Sequence, residues 1–133
     1  MWSEHGSYEF EVKGQVLIMR PTGAWNLETA IRCCKEYKVI AQSLNNSPWA
    51  CLVNLLSWEL GTPDIRPEID SVNAWADEHN ERFEAVVCST SLQTYMLEQT
   101  YDKFKNVKTE FFQTEDKALS WLTTELSKLN HSL

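Results

Sequence analysis

Two corners of the chain collect the residue types that could hold a ligand. The first has Arg20, Thr22, Trp25 and Asn26, and the second has Ser57, Trp58, Glu59 and Thr62. An arginine beside hydroxyl groups and helix starts suits an anion or another polar ligand, because the first N–H groups of a helix lack intrahelical acceptors. Trp25 and Trp58 could wall a pocket beside them. Glu59 follows Trp58, and an indole that desolvated this carboxyl would raise its pKa toward acid–base use; a loop carboxylate facing solvent is the plainer reading. The caps themselves also have a bland reading, since every helix start needs its N–H groups satisfied.

Other chemistries find less support. The sequence has no Gly-x-Ser-x-Gly elbow, Walker loop, dinucleotide fingerprint or His-Glu-x-x-His helix. His5, His79 and His131 supply no evident base for a nucleophile, so no catalytic residue is assigned and the chain reads as a non-enzyme. Cys33, Cys34, Cys51 and Cys88 form no CxxC pair and no metal-ligand spacing with those histidines. All four read as reduced structural thiols, with no metal and no cofactor expected.

The charge of −7 argues against nucleic acid as a partner. It is unevenly placed, with eight acids between Glu59 and Glu84 against Arg66 and Arg82. Such a run is ordinarily a solvated helix face; the sharper reading is a docking surface for a basic partner. No apolar run approaches the roughly 18 residues of a membrane span, and Met1–His5 has no leader character, so a cytoplasmic protein is the expectation.

The elements that must position these corners are legible from periodicity. Residues 1–133 read as one domain. Tyr8, Phe10 and Val12 alternate with charged residues as an edge strand, Gly14-Gln15 turns the chain, and Val16–Met19 returns. Arg20–Trp25 breaks that strand, and Asn26 caps a helix of about 18 residues. Ala50–Leu56, apolar except for Asn54, is a strand buried on both faces. Thr62-Pro63 starts the next helix, which His79-Asn80 closes. Phe83–Cys88 is a fourth strand, Ser89–Ser91 caps a third helix, Val107–Phe111 is a fifth strand, and Thr114 caps a terminal helix. The order ββαβαβαβα implies an α/β fold with a mixed five-stranded sheet, parallel from the second strand onward. Strands apolar on both faces need cover on the second one, either from the terminal helix or from a second subunit.

This order resembles the STAS, or SpoIIAA-like, fold, with the closer similarity to small uncharacterised bacterial proteins of the STAS/SEC-fourteen type. The carrying features are Gly23-Ala-Trp-Asn26, Pro48-Trp-Ala50, Trp58-Glu-Leu60 with Thr62-Pro63, and the Ala118…Trp121-Leu122 ending. The resemblance implies a regulatory or ligand-sensing module. Anti-sigma-factor antagonists of this fold carry a phosphoacceptor at the helix start after the third strand. By position Thr62 is the nearest match and Ser57 a poorer one, although Leu60-Gly-Thr-Pro63 stands where the antagonists have Asp-Ser-Ser-Gly. Comparison with CRAL-TRIO domains implies a lipid-like ligand instead. Two functions follow as expectations. One is a regulatory domain binding a small anionic or lipid-like ligand at the strand ends. The other is a protein-interaction module using the acidic helix or an open sheet face, with a homodimer among its forms.

Overall fold

Gly14, at φ +60°, turns the chain between β1 (Ser7–Lys13) and β2 (Val16–Trp25), which pair antiparallel with Lys13 opposite Val16. The computed structural model describes residues 5–89, 101 and 104–131. After β2 come α1 (Leu27–Gln42), β3 (Trp49–Asn54), β4 (Trp58–Gly61), a 3₁₀ turn (Pro63–Ile65) and α2 (Arg66–Glu78). β5 (Glu81–Val87), β6 (Lys108–Phe112) and α3 (Glu115–His131) complete the described elements. The sheet order is β1-β2-β3-β5-β6, with β2, β3, β5 and β6 parallel as expected and β1 antiparallel at one edge. The third helix expected after Ser89, with Leu92, Tyr95, Met96 and Gln99, lies largely outside the described residues.

Among the described residues the sheet has six strands rather than five. The sixth is β4, which the sequence reads as loop and which pairs parallel with the far end of β2. The expected break at Arg20–Trp25 is therefore continuous strand. Pro21 is tolerated there for a specific reason. β2 pairs with β3 through Met19 and with β4 from Gly23, whose N–H donates to the Ser57 carbonyl at 2.9 Å. Strand N–H groups alternate sides, so the position of Pro21 matches that of Gly23 and its missing donor falls in the gap between the two partners.

Asn26 caps α1 as expected, its Oδ1 accepting from the Thr29 N–H at 3.2 Å and the Thr29 hydroxyl at 2.9 Å. The start of the next helix differs. Pro67 has no N–H to reach the Pro63 carbonyl, and the Arg66 N–H takes that carbonyl instead. The result is a 3₁₀ turn ahead of α2.

The two faces of the sheet are covered by different helices. Val16, Ile18, Leu52, Ala85 and Val87 pack with Ala118 and Leu122 of α3. Thr114 starts that helix, its hydroxyl accepting from the Lys117 N–H at 3.3 Å. The terminal helix thus provides the cover that the apolar strands demanded. On the other face Leu17, Trp49 and Cys51 meet Tyr37 and Ala41 of α1 and Val72 and Ala76 of α2.

Candidate functional site

The face under α1 and α2 is incompletely filled. β4 and the 3₁₀ turn stand over the end of the sheet, hung from β2 by the Gly23–Ser57 bond and by the Thr62 N–H on the Trp25 carbonyl at 3.1 Å. Gly61 permits this approach, because a β-carbon there would sit 2.7 Å from the Trp25 carbonyl oxygen and 2.6 Å from Ile65 Cδ1. Beneath lies a cavity of about 410 Å³. That volume falls within the roughly 300–1,000 Å³ of small-molecule sites. Its deep wall is buried Tyr37, Cys51, Val53, Leu55 and Glu84; its mouth is exposed Leu60, Thr62, Pro63 and Arg66. Leu60 holds φ +69°, a conformation that β-carbon sterics disfavour, so the rim is shaped at some local cost.

Trp25 and Trp58 form one side wall, their rings 6.0 Å apart and edge-on. Trp25 is anchored, its indole N–H donating to the Ser7 carbonyl at 3.0 Å. The Trp58 indole N–H is buried without an acceptor among the described residues, and so is the Asn73 side-chain nitrogen on α2. Both residues line the cavity. Buried donors left unpaired are costly, and an acceptor carried by a bound molecule would relieve them.

Glu84 of the deep wall is one half of an acid pair whose other member, Glu81, lies behind it. Glu81 is 0% exposed and Glu84 3%. In a regular strand, residues three apart face opposite sides. Here Trp49 opposes Glu81 while the next β3 residue, Ala50, opposes Phe83, so Arg82 is an extra residue in β5. This β-bulge turns Glu81 onto the same face as Glu84. Neither oxygen of Glu81 reaches an N–H or O–H donor among the described residues; its neighbour is the Glu84 carboxylate. Two ionised carboxylates in that position would repel strongly, and a proton on Glu81 converts the contact into a hydrogen bond donated to Glu84. Burial, then the Glu84 charge, pushes Glu81 well above the usual carboxylate range. Glu84 is pushed up to about 7 by burial, against hydrogen bonds from Glu81 and the Tyr101 hydroxyl that favour its charged form. Burial also pushes the Cys51 thiol up, partly offset by the Tyr37 hydroxyl.

One ligand atom each from Cys51, Glu81 and Glu84 lie within 4.8 Å of one another, a spacing that could admit a metal ion. A cation there would have to displace protons that burial holds in place. Cys51 is the nucleophile type beside these carboxylates, and burial holds its thiol protonated.

The residues expected at the strand ends divide between two places. Trp25, Trp58 and Thr62 line the cavity. Arg20, Thr22 and Ser57 instead line a shallow depression with Asn54 on the α3 side. There the Arg20 guanidinium is held by Glu115 at 2.7 Å, Glu11 at 2.9 Å and Glu9 at 3.1 Å, so its charge is already matched by carboxylates. Asn26 is occupied as a cap, and Glu59 is exposed outside the cavity lining. Thr62 is exposed and its hydroxyl donates to the Asp64 carboxylate, which would repel a phosphate placed on Thr62. The acidic run is also thinner at the surface than its sequence implies, because Asp77, Glu81 and Glu84 are buried. Asp77 accepts from the Asn106 N–H at 2.8 Å and the Lys105 N–H at 3.2 Å, fixing the approach to β6.

The sequence reading missed Tyr37, Cys51, Glu84 and Tyr101 as members of one site. One signal was present: Glu84 stands inside an apolar strand of a sheet covered on both faces, where no position is exposed.

No family model matches the sequence, and no curated protein is similar enough in sequence to match. Solved structures do match the fold. An uncharacterised DUF3478-family protein with a SpoIIAA-like fold from Shewanella loihica PV-4 superposes with a TM-score of 0.73 at 15% identity, covering 92% of this chain and 98% of that one. The NMR structure of the protein TM1081 gives 0.64 at 14% identity over 92% and 94%. An anti-sigma factor antagonist from Mycobacterium paratuberculosis gives 0.61 at 14% identity over 89% and 94%. The chain has the SpoIIAA-like, or STAS, fold. Within that fold, the cavity lies under α1 and α2 with Glu84 in its wall.

Proposed function

We propose that the chain is a single non-catalytic regulatory domain whose signal is a small, largely apolar ligand bound under β4. The observation that carries this reading is the 410 Å³ cavity with its mostly apolar walls and its unpaired buried donors at Trp58 and Asn73. Occupancy would be felt by the Ser57–Thr62 segment, which is both the cavity roof and an exposed surface. The regulatory reading draws support from the fold shared with an anti-sigma factor antagonist. Four cysteines without disulfides fit a cytoplasmic setting.

Octanol is a suitable neutral probe. Titrating it while following tryptophan emission is expected to give a saturable change, weakened in Trp58→Ala. Emission that stays flat up to the solubility limit would overturn the reading.

The second reading, a protein-interaction module, rests on the same anti-sigma factor antagonist and on the exposed acids Asp64 and Glu78 at the two ends of the α2 region. A homodimer would have to use such a surface, because α3 already covers the second face of the sheet.

A further inference from the structure

The cavity has a polar end of one sign. Glu84 is the carboxylate in its deep wall, and the groups acting on it come from several elements. They are Glu81 on the same strand, Cys51 on β3, Tyr37 on α1 and Tyr101; Asp77 of α2 acts on Glu81. All are acids, phenols or thiols. Among the described residues lining the cavity, the cation is Arg66, which is exposed at the mouth and pairs with Asp70 at 3.9 Å. A buried carboxylate surrounded in this way can be satisfied by a proton or by a positively charged donor delivered through the cavity.

We propose that Glu84 receives the head of the ligand, and that the cavity therefore selects apolar molecules ending in an ammonium group over those ending in a carboxylate. The proposal deepens the ligand-binding reading and rests on it. The apolar walls take the body of the molecule, and the ammonium donates to Glu84 in the low-dielectric deep wall, where a charge-assisted hydrogen bond is strong. Glu81, neutral beside it, stabilises the ionised form by its own donated hydrogen bond. The orphan donors at Trp58 and Asn73 need acceptors and do not compete for this head. A carboxylate head would turn to them and to Arg66 instead.

Three eight-carbon probes, octylamine, octanol and octanoate, distinguish these outcomes by tryptophan fluorescence or calorimetry on the full chain. Octylamine is expected to bind more tightly than octanoate by about tenfold or more, the worth of one charge-assisted hydrogen bond. Its affinity should rise from about pH 6 to about pH 8, because binding a cation favours the ionised form of a carboxyl titrating in that range. In Glu84→Gln, octylamine should lose this advantage over octanoate, a cooperative urea-unfolding transition reporting that the variant is folded. Octanoate binding as tightly as octylamine would overturn the proposal, as would an amine preference that survives in Glu84→Gln. Should that variant not fold, the comparison of probes and the pH trend in the unmodified chain decide alone. Absence of octanol binding would instead remove the underlying ligand-binding reading.

Discussion

The two faces of this sheet treat their carboxyl groups in opposite ways. On the α3 face, Glu115 sits beside the Arg20 guanidinium and also accepts from the Asn54 amide at 2.6 Å, and its pKa is lowered chiefly by Arg20. On the α1–α2 face, Glu84 and Glu81 meet no cation among the described residues and their pKa values are raised chiefly by burial. The apolar parts differ in the same sense. Under α3, Leu122 and Ala118 fill the space above Ile18, Leu52 and Ala85. Under α1 and α2, the packing stops short and leaves the cavity. One face is closely packed, and the other leaves open space beside a buried carboxyl, at a cost in stability.

This contrast can be broken by experiment. Leu122 is fully buried against the sheet, so Leu122→Ala should cost about 3 kcal/mol in urea unfolding. Leu55→Ala, at the cavity wall, should cost less, about 2 kcal/mol, because part of its surroundings is already empty. Equal losses would mean that the two faces are packed alike.

Stability against pH gives a sharper comparison. The folded chain holds a proton on Glu84 up to about pH 7, whereas the unfolded chain releases it near 4.5. Between those values the folded state binds more protons, so stability is highest on the acid side and falls as pH rises through this window. Glu81 acts in the same direction. Glu84→Gln should therefore flatten the decline and raise stability at about pH 8 by about 2 kcal/mol. A variant less stable than the parent at that pH would argue that the acid pair is a stabilising element.

Glu115 has the reverse sign. Its stabilisation is present above the unfolded pKa and is lost as pH falls through its lowered folded value. Glu115→Gln should cost about 1 kcal/mol at neutral pH, as expected for a partly exposed pair, and next to nothing in acid. A loss independent of pH would assign its role to shape and not to charge.

Much of the frame was legible in the sequence because each element carried its own local signal. The alternation of Tyr8, Phe10 and Val12, the Asn26 cap and the apolar run through Leu52 and Val53 are all consequences of near neighbours in the chain. Trp25 and Trp58 were also identifiable as pocket walls, since both flank corners at the strand ends. Arg20 was misleading because its main partner, Glu115, is far away in sequence, and its charge looked unspent without it. β4 escaped notice because four mostly exposed residues carry no periodic pattern. Glu81 was hardest to place, since residue type says nothing of which way a strand residue will face once the register slips by one.

That slip makes the site depend on counting as much as on composition. Were β5 to pair as a regular strand, with Arg82 opposite Trp49, every side chain would remain in the sequence, yet Glu81 would swing across the sheet to the side of Phe83 and force a carboxyl under α3. The acid pair would be gone without either acid having been replaced. Point substitutions can silence this pair, but pairing the strand without its bulge is what would dismantle it, and relatives with this site should be recognisable by the spacing between Glu81 and Glu84 before any other feature.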